Sequence, residues 1–169
     1  MTSSQAAEPF ATIARFLETL GIELRMTELS DDTFLPGITL AAGCILYDPG
    51  KLKYPGDLLH EAGHLAVTTP EQRLAAGTEK IELPWPTDGE EIAAVLWSYA
   101  ACCNLGLSPE IVFHPDGYKG QSDWLIENFT SGNYIGLPFL EWAGMAVGPK
   151  QAEVRNVQPF PHMLNWIRN

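Results

Sequence analysis

The chain has 169 residues, 46% hydrophobic and 18% charged, which is the balance of a globular protein long enough to bury one core without cross-links; a single domain over 1–169 is expected. Its 21 acidic against 10 basic residues leave a net charge of −11, which repels phosphate backbones and argues against nucleic-acid binding. The opening "MTSSQAAEPFATIARFLETLG" has no basic stretch followed by an apolar one, and no run of about 18 apolar residues occurs anywhere, so the expectation is a cytoplasmic protein without a membrane span.

Residues 8–20, "EPFATIARFLETL", place Phe10, Ile13, Phe16 or Leu17, and Leu20 at helical spacing, with Gly21 as a stop. "IELRMTEL" then alternates Ile22, Leu24 and Met26 with polar partners, and "GITLAAG" and "CILYD" follow a loop, so three short antiparallel strands are predicted. The loop "PGKLKYPG" leads to a helix that begins near Asp57, whose carboxylate complements the N-terminal dipole, and that Thr68, Thr69 and Pro70 end.

A turn-rich connector, "EQRLAAGTEKIELPWPTDG", precedes a strongly helical stretch, "EEIAAVLWSYAACCNLG". Beyond it "LSPEIVFHPDGYKG" reads as loop, "QSDWLIENFTSG" and "LPFLEWAGMAVG" as helices, and the tail as polar chain that packs back through Phe160, Met163, Trp166 and Ile167. Cys44, Cys102 and Cys103 are odd in number and offer no CxxC pair, so core packing is expected of all three.

The chemistry concentrates in "HEAGH", residues 60–64. Residues i and i+4 of a helix lie one above the other, so His60 and His64 aim their imidazoles at a common point, where each can bind zinc at about 2.0–2.1 Å. Zinc lowers the pKa of bound water from about 15.7 toward about 7 and polarises a carbonyl, and Glu61 between the two histidines suits a general base. Composition alone gives this motif in fewer than about 1 in 100 such chains. Gly63 costs a helix about 1 kcal/mol relative to alanine, so it implies close packing beside the histidines.

A catalytic zinc needs a third protein ligand. The form HExxHxxGxxH is excluded, because Val67 and Pro70 stand where glycine and histidine are required. Glu91 and Glu90 on the next helix are the candidates; Glu91 leads because Ala94, Ser98 and Ala101 continue its face as a small-residue stripe able to nestle against Gly63. Asp88 and Asp116 are lesser candidates in turns that favour aspartate anyway, and His114, Tyr99, Tyr118 and Tyr134 could each stabilise a transition state.

Strands, a loop, "LLHEAGHLAV" and then "EEIAAVLWSYAA" resemble the minimal gluzincin metallopeptidases, and most the group that includes the ImmA/IrrE-type enzymes. The resemblance covers roughly residues 22–105 and lacks the DNA-binding domain often joined to that group. It implies an α+β, zincin-like fold, with a small antiparallel sheet packed on the HExxH helix and further helices. It also implies zinc ligands His60, His64 and Glu91, catalytic base Glu61, and an edge strand within Ile38–Tyr47 that aligns an extended peptide. The expected function is therefore zinc-dependent hydrolysis of an amide bond in a peptide or protein substrate. A non-catalytic zincin-fold module with a bound zinc is the competing expectation; Glu61 favours the enzyme, since a structural site needs no base.

Overall fold

A computed structural model describes residues 3–169. Helix α1, Ser3–Thr19, turns Ile13, Phe16 and Leu17 inward and ends before Gly21, whose φ of +74° suits a residue without Cβ. Strands β1 (Leu24–Met26), β2 (Ile38–Ala41) and β3 (Cys44–Tyr47) form one sheet in the order β1-β3-β2.

The sheet is mixed, which corrects the expectation of three antiparallel strands. β2 and β3 form an antiparallel hairpin through Ala42 and Gly43, both at positive φ as a two-residue turn requires. β1 pairs in parallel with β3, Leu24 opposite Ile45 and Met26 opposite Tyr47. The segment between β1 and β2 carries the chain past the position of β3, so the hairpin returns β3 into the middle and leaves β2 at an edge. Alternating apolar residues mark such strands but do not encode which neighbour each takes.

Helix α2, Asp57–Val67, carries the HEAGH residues, and its buried positions run almost its full length. Its last residue is Val67, but Pro70 does more than end it: Thr69 caps a new helix, α3 (Pro70–Ala75), by accepting from the Gln72 N–H, with Pro70 in its first turn. Helix α4, Asp88–Leu105, starts at Thr87 and closes on Gly106 in the left-handed conformation. Two 3-10 turns, Pro109–Ile111 and Tyr118–Gly120, interrupt the expected loop, and α5 (Ser122–Thr130), α6 (Leu137–Trp142) and α7 (Pro149–Arg155) follow.

α2 and α4 make the most extensive contact between any two elements, and the buried apolar residues form one cluster around them. The tail packs back as expected: Trp166 sits edge-on to Phe16 and Trp97 at ring separations of 5.0 and 5.5 Å, and the Trp97 indole N–H donates to the Trp166 carbonyl at 2.9 Å. Cys44 and Cys102 are buried, but Cys103 is exposed, because one residue's step around α4 carries it off the core face. The architecture is α+β, and among the described residues no helix is long and apolar enough to cross a membrane.

Candidate functional site

On α2 the one-turn spacing brings His60 Nε2 to 3.1 Å from His64 Nε2, with the rings nearly perpendicular at 79°. From the first turn of α4, Glu91 presents one carboxylate oxygen 3.6 Å from His60 Nε2 and the other 3.3 Å from His64 Nε2. Glu61 also offers an oxygen within 4.8 Å of both imidazoles, so two carboxylates border the histidine pair.

The approach of the two helices depends on Gly63. A Cβ there would stand 2.7 Å from the Ala94 carbonyl oxygen and 3.2 Å from its backbone carbons, so only hydrogen fits between the chains. The same contact, one turn beyond Glu91, fixes the height of that carboxylate over His60 and His64.

Glu90 is otherwise engaged. Its Oε2 accepts from both the backbone N–H and the hydroxyl of Thr87 at 2.8 Å, while its own N–H donates to Thr87 Oγ1, a reciprocal capping box that starts α4. Once Glu90 turns back to its cap, the 100° step around the helix points Glu91 at α2.

Of the other candidates, Tyr118, His114 and Asp116 line a cavity shared with His60 and Glu91. The Tyr118 ring stands edge-on to His60 at 5.5 Å, and its hydroxyl is buried with no hydrogen-bond partner among the described residues. His114 is 2.8 Å from the Asp57 carboxylate, both side chains buried, and stacks on Tyr54. Tyr99 and Tyr134 pack with Phe160 in an aromatic cluster away from the histidines. Asp116 pairs with Lys53 at 2.7 Å and with the Tyr54 hydroxyl, and Asp88 is exposed in the first turn of α4.

Behind His64 a chain of hydrogen bonds fixes the end of α2. The Trp85 indole N–H donates to Thr68 Oγ1 at 3.1 Å, and that hydroxyl donates to the His64 carbonyl at 2.7 Å. Arg73 donates to the carbonyls of Leu65, Thr68 and Arg168, which ties α2, α3 and the tail together.

Two cavities meet over the cluster. One, of about 600 Å³, runs between β2, Trp85 and the residues His60, Glu61 and His64; the other, of about 520 Å³, reaches Tyr54, His114 and Tyr118. They share Phe34, Leu35, His60, Glu91 and Lys119 and so form one cleft. A further hollow of about 610 Å³ between α1 and β1 is lined by none of the clustered residues.

Burial dominates the electrostatics. It lowers His60 to about 3, with help from neighbouring His64, and His64 to about 4, so both rings are neutral at physiological pH and keep a lone pair free. It raises Glu61 to about 7, with Asp57 and Glu91 adding like charge, and it raises Glu91 as well. His60 keeps 13% of its side chain open to the cleft, which leaves access for a small ligand. His60, Glu61 and His64 form a group whose donor atoms could hold a metal ion, and the Glu91 carboxylate lies beside the two histidines.

Comparison with protein-family models, with curated proteins and with solved structures finds no match.

Proposed function

We propose that the chain is a zinc-dependent metallopeptidase or amide hydrolase of zincin-like construction, in which His60, His64 and Glu91 hold the metal and Glu61 is the general base. The observation that supports this best is the spacing of the donor atoms. Three corners of a tetrahedron around zinc, with bonds of about 2.0–2.1 Å, stand about 3.3 Å apart. His60 and His64 stand 3.1 Å apart at their Nε2 atoms, and the Glu91 carboxylate faces both, with one oxygen 3.3 Å from His64 and the other 3.6 Å from His60. Three protein donors would leave one coordination position for water or substrate, as a catalytic rather than a structural zinc site requires.

Zinc held there would act as a Lewis acid, polarising the substrate carbonyl and acidifying water. Glu61, beside the two histidines, would accept a proton from the attacking water and pass it to the departing amine. The edge strand supports an extended substrate. The register turns the backbone of Ile38 and Leu40 toward the outer edge; Ile38 N–H already donates to the Leu35 carbonyl and Gly77 lies against the Leu40 carbonyl, which leaves the Ile38 carbonyl and Leu40 N–H for a substrate beside the cavity they share with His60, Glu61 and His64. Ala76 and Gly77 cover the far end of β2, confining a bound strand to the stretch beside the histidines.

The test is Glu61→Gln in the purified, zinc-supplemented chain assayed on a peptide library. Hydrolysis should fall by about 10²–10⁴-fold, the usual worth of a general base, while zinc content stays at one per chain. Equal hydrolysis by the variant, or stoichiometric zinc with no cleavage by the parent chain, would overturn the enzymatic reading and favour a binding module.

A further inference from the structure

Lys119 occupies an unusual position in the cleft. It lines both cavities over the histidines and a third hollow of about 380 Å³ beyond them, and Glu91 is the other residue common to all three. The remaining charges of the cleft are matched. Lys53 pairs with Asp116 at 2.7 Å, His114 holds Asp57 at 2.8 Å, and Glu61 and Glu91 face the proposed metal. Lys119 is exposed and makes no ion pair among the described residues, in a chain whose net charge is −11.

Its backbone is held in place. Tyr118 and Lys119 lie at φ of +53° and +54°, a region that residues with a Cβ rarely adopt. The segment is fixed because Tyr118 turns inward against His60 and Phe113, while Gly117 rests on the His114 ring, where a Cβ would come within 3.1 Å of Cε1. One strained turn thus sends Tyr118 under the site and Lys119 over it.

The third hollow opens beside Lys119 and is mostly apolar. Ile92, Val95, Trp124, Leu125 and Ile135 line it, and Ile92 and Trp124 remain 42% and 49% exposed. Ile92 follows Glu91 directly, so this apolar surface begins one residue from the proposed metal site and continues its cleft rather than forming a separate face.

We infer that the cleft selects an extended peptide carrying a carboxylate, seated at Lys119, beside a large apolar side chain that fills the hollow between Ile92 and Trp124. This rests on the metallopeptidase reading and supplies its substrate class. Lys119 is the lysine of the cleft that makes no ion pair among the described residues, and the apolar surface adjoins it, so the two features recognise neighbouring parts of one ligand.

The experiment uses the zinc-loaded Glu61→Gln chain, immobilised and exposed to a synthetic library of randomised octapeptides at physiological salt, where a Debye length of about 8 Å confines charge effects to the cleft. Sequencing of the retained peptides should find Asp and Glu enriched about tenfold over Lys and Arg next to Phe, Trp, Leu or Ile. Adding Lys119→Glu should abolish or invert the acidic preference and spare the apolar one. Adding Trp124→Ser should weaken the apolar preference about tenfold and spare the acidic one. Retention of peptides with no acidic preference, or a preference that Lys119→Glu leaves unchanged, overturns the inference while the metallopeptidase reading stands. A chain that takes up no zinc and retains no peptide overturns both.

Discussion

Replacing Gly63 with alanine tests whether the meeting of α2 and α4 builds the site. The new Cβ would stand 2.7 Å from the Ala94 carbonyl oxygen and 3.2 Å from its Cα, both backbone atoms that no side-chain rotation can move. Non-bonded carbons settle at about 3.5–4.0 Å, so the helices must part by roughly 0.5 Å. Overpacking of this kind costs about 1–3 kcal/mol, and the better helix propensity of alanine returns about 1 kcal/mol. A net loss of up to about 2 kcal/mol lowers the melting temperature by up to roughly 8 °C in a chain of this size. On the zinc-site proposal the larger effect falls on metal affinity, because Glu91 is carried by α4 and both histidines by α2. Zinc affinity, measured by competition with a chromophoric chelator, should drop about 10–100-fold, as it does when the partners orienting a ligand are lost. Gly89→Ala is the control: its Cβ would meet only the Phe139 ring, at an ordinary 3.5 Å, and should leave zinc binding intact. Equal zinc affinity and stability in the Gly63 and Gly89 variants would refute the idea that the close approach positions Glu91.

The two acidic neighbours on α4 should behave oppositely. Glu91→Ala should abolish stoichiometric zinc uptake, measured by elemental analysis, whereas Glu90→Ala should keep the metal and lose about 1 kcal/mol of stability with its capping box. The metal-free chain should lose stability toward acid. The folded His60 and His64 sit at about 3 and 4 against 6.5 unfolded, so their contribution is present above pH 6.5 and is lost as the pH falls toward 3. Glu61, raised from 4.5 to about 7, works the other way: its contribution is present below pH 4.5 and is lost as the pH rises to 7. Between pH 4.5 and 6.5 Glu61 therefore works against the two histidines, and Glu61→Gln should make the slope of unfolding free energy against pH steeper in urea titrations. An unchanged slope would show that these groups are not buried as described. Arg73→Ala, which removes donors from the carbonyls of Leu65, Thr68 and Arg168, should cost about 2–3 kcal/mol in the same titrations.

Local signals carried most of the site. The i,i+4 histidines, the small-residue face after Glu91 and the costly glycine at 63 are all patterns of one helix, and the Gly63–Ala94 contact joins them as the small-residue stripe anticipated. The decision between Glu90 and Glu91 was also written locally, in Thr87-Asp88-Gly89-Glu90, a capping box that commits the first glutamate to its own helix terminus. Pro70 reads as a stop and acts as a start, because proline suits the first turn of a helix as well as the end of the one before. What escaped the sequence is non-local. β1 lies parallel to β3 only because the chain between β1 and β2 passes over the place where β3 will insert. Asp57 and His114 are 57 positions apart, and nothing near either predicts that they meet. Lys119 carries no local signal for the same reason, since its place at the junction of three hollows exists only once α4, α5 and the strained turn are assembled.

Zinc at the histidine pair is tested most directly by a crystal of the purified, zinc-supplemented chain measured on either side of the zinc absorption edge. We expect one anomalous peak, about 2.0–2.1 Å from His60 Nε2, His64 Nε2 and a Glu91 oxygen, with the fourth position facing the cleft. A chain without a peak between α2 and α4, or with the metal held by Glu90 or by other residues, would contradict the proposed centre.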